Sequence, residues 1–67
     1  MQPAERQAWL LEHVRVTGPI RTRVYAESVG VSLDTALNDL TDLADRGVIQ
    51  AHGTMRDRTW SLRHEPS

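Results

Sequence analysis

A chain of 67 residues with eight arginines, no lysine, nine acidic residues and no cysteine forms one domain at most and has neither disulfides nor thiolate metal sites. Its net charge of −1 is lower than a dedicated nucleic-acid binder usually carries. The apolar stretches are only a few residues long, which excludes a membrane-spanning helix.

The distribution of charge says more than the total. Residues 1–30 carry four arginines and three glutamates, whereas residues 31–47 carry Asp34, Asp39, Asp42 and Asp45 against Arg46 alone. Residues 48–67 carry Arg56, Arg58 and Arg63 against Asp57 and Glu65, so two mildly positive ends flank an acidic middle. The opening residues lack the basic start and apolar centre of a signal peptide, and a soluble, cytoplasmic protein is expected.

Taken in chain order, the pattern predicts a first helix over about 4–16. Ala8, Trp9, Leu10, Leu11, Val14 and Val16 form its broad apolar stripe, Pro3 stands in the tolerant first turn, and Gly18-Pro19 ends it. Ile20 then makes a short extended step suited to a sheet edge. A second helix is expected over about 22–29, capped by Thr22, with Tyr25, Ala26 and Val29 inward and Gly30 as a left-handed stop. Val31 would plug the corner of the turn.

Ser32 predicts the N-cap of a third helix over about 32–46, with Asp34 favourable in its first turn. At about 100° per residue, Leu33, Ala36, Leu40, Leu43 and Ala44 share one face, with Leu37 on its shoulder. The opposite face carries Asp34, Asn38, Thr41, Asp42 and Asp45, with Thr35 at its margin, and Gly47 ends the helix. Two strands follow, Val48 to His52 and Arg58 to Arg63. Ile49 and Ala51 alternate on one, Trp60 and Leu62 on the other, and a polar link joins them. Residues 64–67 read as a tail.

The run Val31-Ser32-x-x-Thr35-Ala36-x-x-Asp39-Leu40-x-x-Leu43-x-x-x-Gly47-Val48-Ile49, with the hairpin after it, resembles the winged helix-turn-helix family. It looks most like the N-terminal domains of DeoR-type repressors. The segment with Gly53, Arg56, Arg58 and Trp60 is similar to winged domains appended to Fic-type proteins. The resemblance implies an α+β fold, a three-helix winged helix-turn-helix with a C-terminal β-hairpin wing over about 48–63, filling residues 1–67 as one domain. It also implies duplex DNA binding, with the third helix in the major groove and the wing on the backbone. Where DeoR-type members usually carry two basic residues, this chain has Leu37 and Asn38.

Individual residues suit those roles. Asn38 can bond both edge atoms of an adenine. Ser32, Thr35 and Thr41 line the same helix, although the Ser32 hydroxyl is also wanted by the cap. Arg21, Thr22 and Arg23 stand at the start of the second helix, and Thr54, Arg56 and Arg58 at the wing, where they would clamp phosphates. Asp34, Asp42 and Asp45 are disfavoured beside phosphate and offer an alternative: a protein-interaction module that docks a basic partner. Trp9 and Leu10 are candidates for a homodimer contact. His13, His52 and His64 have no metal-ligand spacing, and no nucleophile motif or phosphate-binding glycine loop is present. No enzyme activity, cofactor or metal is therefore expected. The leading expectation is sequence-specific double-stranded DNA binding by a small transcriptional regulator.

Overall fold

The computed structural model describes residues 2–54 and 58–63. The elements run α1 (Pro3–Val16), β1 (Ile20–Arg21), α2 (Thr22–Val29), α3 (Leu33–Asp45), β2 (Ile49–His52) and β3 (Thr59–Leu62). The strands form one antiparallel sheet in the order β1-β3-β2. Ile20 faces Trp60 across β1 and β3, and Ile49 faces Leu62 across β2 and β3. The extended step at Ile20 is thus the third strand of the hairpin's sheet.

Local chemistry sets the boundaries. The proline in the first turn of α1 gives up no needed N–H. Gly30, at φ 71°, closes α2, and the Val31 N–H returns to the Ala26 carbonyl at 3.0 Å. Ser32 caps α3 by accepting the Thr35 N–H at 3.2 Å. Gly47, at φ 78°, ends α3, and the Val48 N–H returns to the Leu43 carbonyl at 3.0 Å. A left-handed φ costs an L side chain about 1–2 kcal/mol, so glycine is the favoured residue at both stops.

Every element contributes to a single core. Leu10 and Val14 meet Ile20, Tyr25, Ala26, Val29, Ala36, Leu40, Leu43, Ile49 and Trp60, all buried. The small side chains of Ala26 and Ala36 stand on α2 and α3, which pack against each other. Val31, as expected, packs against the edge of this core.

Four expectations are corrected. Val16 is exposed at the end of α1, beyond the core. Leu33 has the inward angle but stands one turn ahead of Ala36, outside the packed length of α3, and is 51% exposed. Ala51 is exposed although it lies opposite Trp60 in register. Thr22 does not cap α2: its backbone is already helical and Arg21 occupies the cap position, with no side-chain cap bond. The Thr22 hydroxyl instead accepts the Trp60 indole N–H at 2.9 Å.

Candidate nucleic-acid interface

The sheet brings the start of α2 against the loop end of the hairpin, where β3 begins. Arg21 pairs in register with Thr59, so Arg21, Thr22 and Arg23 lie next to Arg58. Together with Val24 these residues line an open cleft of about 390 Å³. The Arg58 guanidinium lies 5.8 Å from the centroid of the Trp60 ring, within cation–π range. Its Nε is buried and has no hydrogen-bond partner among the described residues. Trp60 therefore both anchors the core and orients an arginine.

The arginines sort by partner. Arg6 is paired with Asp39 at 2.7 Å, Arg15 with Glu12 at 2.7 Å and Arg46 with Asp42 at 3.1 Å. Hydrogen bonds to those carboxylates raise the Arg6 and Arg15 pKa values further above their ordinary range. Arg21, Arg23 and Arg58 have no carboxylate partner among the described residues. Of the four arginines expected to clamp phosphates, Arg21, Arg23 and Arg58 are brought around one cleft by the sheet pairing.

On α3, Asp34, Asn38, Thr41 and Asp45 are exposed, as the helical wheel predicts. Ser32 and Thr35 are engaged with each other. The Ser32 hydroxyl accepts the Thr35 N–H and donates to Thr35 Oγ1 at 3.1 Å. Asp42 is partly covered, and a surface ion pair with Arg46 one turn on offsets its charge. Leu37 is 42% exposed, so α3 presents two leucines to solvent between its polar residues. Thr54 is exposed at the end of the described part of the hairpin, and Arg56 lies outside the described residues.

Leu10 has no exposed surface, because its side chain fills the core, and it cannot make the dimer contact expected of it. Trp9 is half-buried, stacked on His13 at 4.9 Å and tilted against Tyr25 at 6.1 Å.

One group went unnoticed in the sequence. Asp39 accepts the Arg6 Nε–H at 2.7 Å and the Tyr25 hydroxyl at 2.8 Å, tying α1, α2 and α3 together. The Asp39 and Arg6 side chains are each only 13% exposed. Burial alone would raise the Asp39 carboxyl pKa, but the hydrogen bonds from Arg6 and Tyr25 outweigh it and hold the value below the usual range. Burial, together with the Asp39 carboxylate, pushes the Tyr25 hydroxyl up to about 12. The readable signal was a carboxylate at the edge of the Ala36, Leu40, Leu43 stripe, which needs a partner when half-buried.

The acidic middle of the chain is accordingly less acidic in space than in sequence. Asp39 is spent internally on Arg6, Asp42 is paired at the surface with Arg46, and Asp34 and Asp45 remain as exposed carboxylates on α3. Among the described residues, no group of three His, Asp or Glu side chains is placed to hold a metal ion, and no helix is long and apolar enough to cross a membrane.

No protein-family model and no curated protein sequence matches the chain. Among solved structures it is similar to the Zalpha domain of PKZ from Carassius auratus, solved in complex with Z-DNA. The TM-score is 0.77 at 15% identity, covering 90% of this chain and 95% of that one. At this identity the likeness speaks to the scaffold and does not reach the DeoR-type subgroup. Three helices, the β1-β3-β2 sheet and a match over nearly the whole length of both chains establish that this protein has the winged-helix fold.

Proposed function

We propose that the chain binds double-stranded DNA and acts as a small transcriptional regulator. The observation that carries the reading is the side of the fold bearing Arg21, Arg23 and Arg58. These guanidiniums have no acidic partner among the described residues and surround a cleft large enough for a backbone segment. The likeness to a Zalpha domain solved with Z-DNA supports DNA as the polyanion, on the strength of a shared scaffold.

In this reading the rim supplies affinity and α3 supplies discrimination. Arg21, Arg23 and Arg58, with Thr54 and Arg56 of the wing, hold phosphates, and Thr22 acts indirectly by fixing Trp60 beneath Arg58. Thr35, Asn38 and Thr41 face base edges. Four arginines that each replace a condensed counterion give a log–log salt slope of roughly −3.6. Asp34 and Asp45 oppose the approach, and screening makes their repulsion modest at physiological salt.

The test is an amide-shift titration of the isotope-labelled protein with a mixed-sequence duplex at low salt. Shifts at residues 21–23, 32–41 and 58 that fade as salt rises are expected. The double variant Arg56→Glu with Arg58→Glu should abolish binding while leaving the fold intact. An unchanged spectrum at saturating duplex refutes the proposal.

A second reading has its own observation. Leu33 and Leu37 are 51% and 42% exposed on α3, beside Asp34 and Asn38. An apolar pair edged by a carboxylate fits a basic, amphipathic protein segment, and this reading takes over if duplex leaves α3 unmoved.

A further inference from the structure

We propose that the free edge of β2 pairs with the same edge of a second copy of the chain, antiparallel and centred on Gln50, so that two sheets join into one. The seam lies on the edge of the sheet opposite Arg21, and it stands whether or not the chain binds DNA.

The two edges of the sheet are not alike. β1 is two residues long, follows Pro19 and ends on Arg21. Short length, proline and charge are usual means of keeping an edge from recruiting another strand. β2 has none of them in its sequence. Val48-Ile49-Gln50-Ala51-His52 contains no Asp, Glu, Lys, Arg or Pro. Its register with β3 runs from Ile49 to His52 without a bulge. Among the described residues no strand lies on its other side, and Gln50, Ala51 and His52 are all exposed.

The hydrogen-bond phase shows which backbone groups are open. The Arg63 N–H donates to the Val48 carbonyl at 3.1 Å, which continues the ladder as a hydrogen-bonded pair. Such pairs alternate along an antiparallel ladder. The Gln50 and His52 backbones therefore face β3, and the N–H and carbonyl groups of Ile49 and Ala51 face the open side. A two-fold axis at Gln50 sets Ile49 of each copy opposite Ala51 of the other. Each such pair exchanges both backbone bonds, so all of these open groups are satisfied. The two Gln50 residues meet as a closely spaced pair, where side-chain amide can bond amide.

Self-pairing suits this edge better than a foreign strand. A two-fold axis brings any charge near it against its own like, and the seam carries none. The Arg63 guanidinium stands close to Gly47, and the axis sends the two copies of Gly47 to opposite ends of the seam. Ala51 favours the register. It points to the core side opposite Trp60 yet is exposed, because no element of its own chain reaches over that end of β2. Pairing sets the other copy's Ile49, on the part of β2 that packs with α3, beside this uncovered methyl.

So short a seam gives a weak dimer, with Kd on the order of 0.1–1 mM. Copies held on one duplex reach a comparable effective concentration, and duplex binding then becomes cooperative. That consequence alone rests on the DNA reading.

The experiment uses the whole chain without DNA, from about 20 µM to about 2 mM, which spans that Kd. Sedimentation should show a monomer passing to a dimer. Amide shifts and slowed hydrogen exchange should appear with concentration at Ile49 and Ala51, while Gln50 and His52, already bonded to β3, change little. A mixed labelled and unlabelled sample should give a contact between the Gln50 Hα protons of the two copies. Ala51→Pro removes an outward N–H and leaves the β2–β3 ladder intact, and should abolish dimerisation. Gln50→Lys and Gln50→Glu alter an exposed side chain and should each weaken the dimer about tenfold, whereas an equimolar mixture of the two should restore it. A chain that stays monomeric at the highest concentration overturns the seam. So does a dimer that survives Ala51→Pro, or one that Gln50→Lys leaves unchanged. Shifts at Ile49 and Ala51 produced only by adding a short strand-forming peptide of alternating threonine and valine assign the edge to a foreign strand and overturn the self-pairing. A dimer without any duplex binding supports the seam and counts against the DNA reading alone.

Discussion

Replacing Thr22 by valine changes one atom type at nearly constant shape, and the atom in question holds the indole N–H of Trp60 at 2.9 Å. Trp60 is 2% exposed, so the N–H has little access to water once its acceptor is gone. Leaving a buried donor unsatisfied costs about 1–3 kcal/mol. A domain of this length has a total stability of roughly 3–10 kcal/mol, so the substitution removes a large share of it. At about 4–8 °C per kcal/mol for a domain this small, the melting temperature should fall by roughly 4–24 °C. Valine and threonine have similar helix propensity, so helix formation contributes little to the difference. Thr22→Ser is the control, since it keeps the acceptor and loses one methyl, about 0.8 kcal/mol at most. Urea denaturation followed by circular dichroism gives the free energies. A double-mutant cycle with Trp60→Phe isolates the bond, because Thr22→Val should cost far less where no indole N–H exists. Thr22→Val no worse than Thr22→Ser, or equally costly in both backgrounds, refutes the reasoning. A supported result has a functional corollary: duplex affinity should drop in Thr22→Val, because the ring beneath Arg58 is no longer fixed.

Two more outcomes follow from the same geometry. Stability should fall at both extremes of pH. Tyr25 ordinarily titrates at 10.0 and is pushed up to about 12 in the fold, so its contribution is complete below pH 10.0 and is lost as pH rises toward 12. Asp39 is held below its ordinary 3.8, so its contribution is present above that value and is lost as pH falls through the lowered one. Denaturation midpoints measured across pH should show both limbs, and Tyr25→Phe should flatten the alkaline one. Ser32→Ala removes the cap of α3 and should cost about 1 kcal/mol. Hydrogen exchange at the Thr35 amide should accelerate more than exchange at Leu40 or Leu43, and equal acceleration along the helix would contradict a capping role.

Much of the fold was legible because its signals are local. Gly30, Ser32 and Gly47 each mark a boundary through their own backbone chemistry, and the structure uses all three. The α3 stripe at Ala36, Leu40 and Leu43 followed from period alone. Leu33 and Leu37 show where period stops being sufficient. An angular position says which way a side chain points, but whether another element covers it depends on where that element ends. Thr22 shows a second limit. A threonine before a helix reads as a cap until a tryptophan 38 positions later takes its hydroxyl.

By itself the sequence determined the order of elements, their stops, the inward face of α3 and the segregation of arginine from aspartate, since each depends on neighbours within a turn or a strand. Only the tertiary structure decided which charges are free. Arg6 meets Asp39 across 33 positions, which removes one cation and one carboxylate from the surface. The pairing of β1 with β3 sets Arg21 and Arg23 beside Arg58. Electrostatic interaction falls off with distance through space, and distance along the chain does not report it.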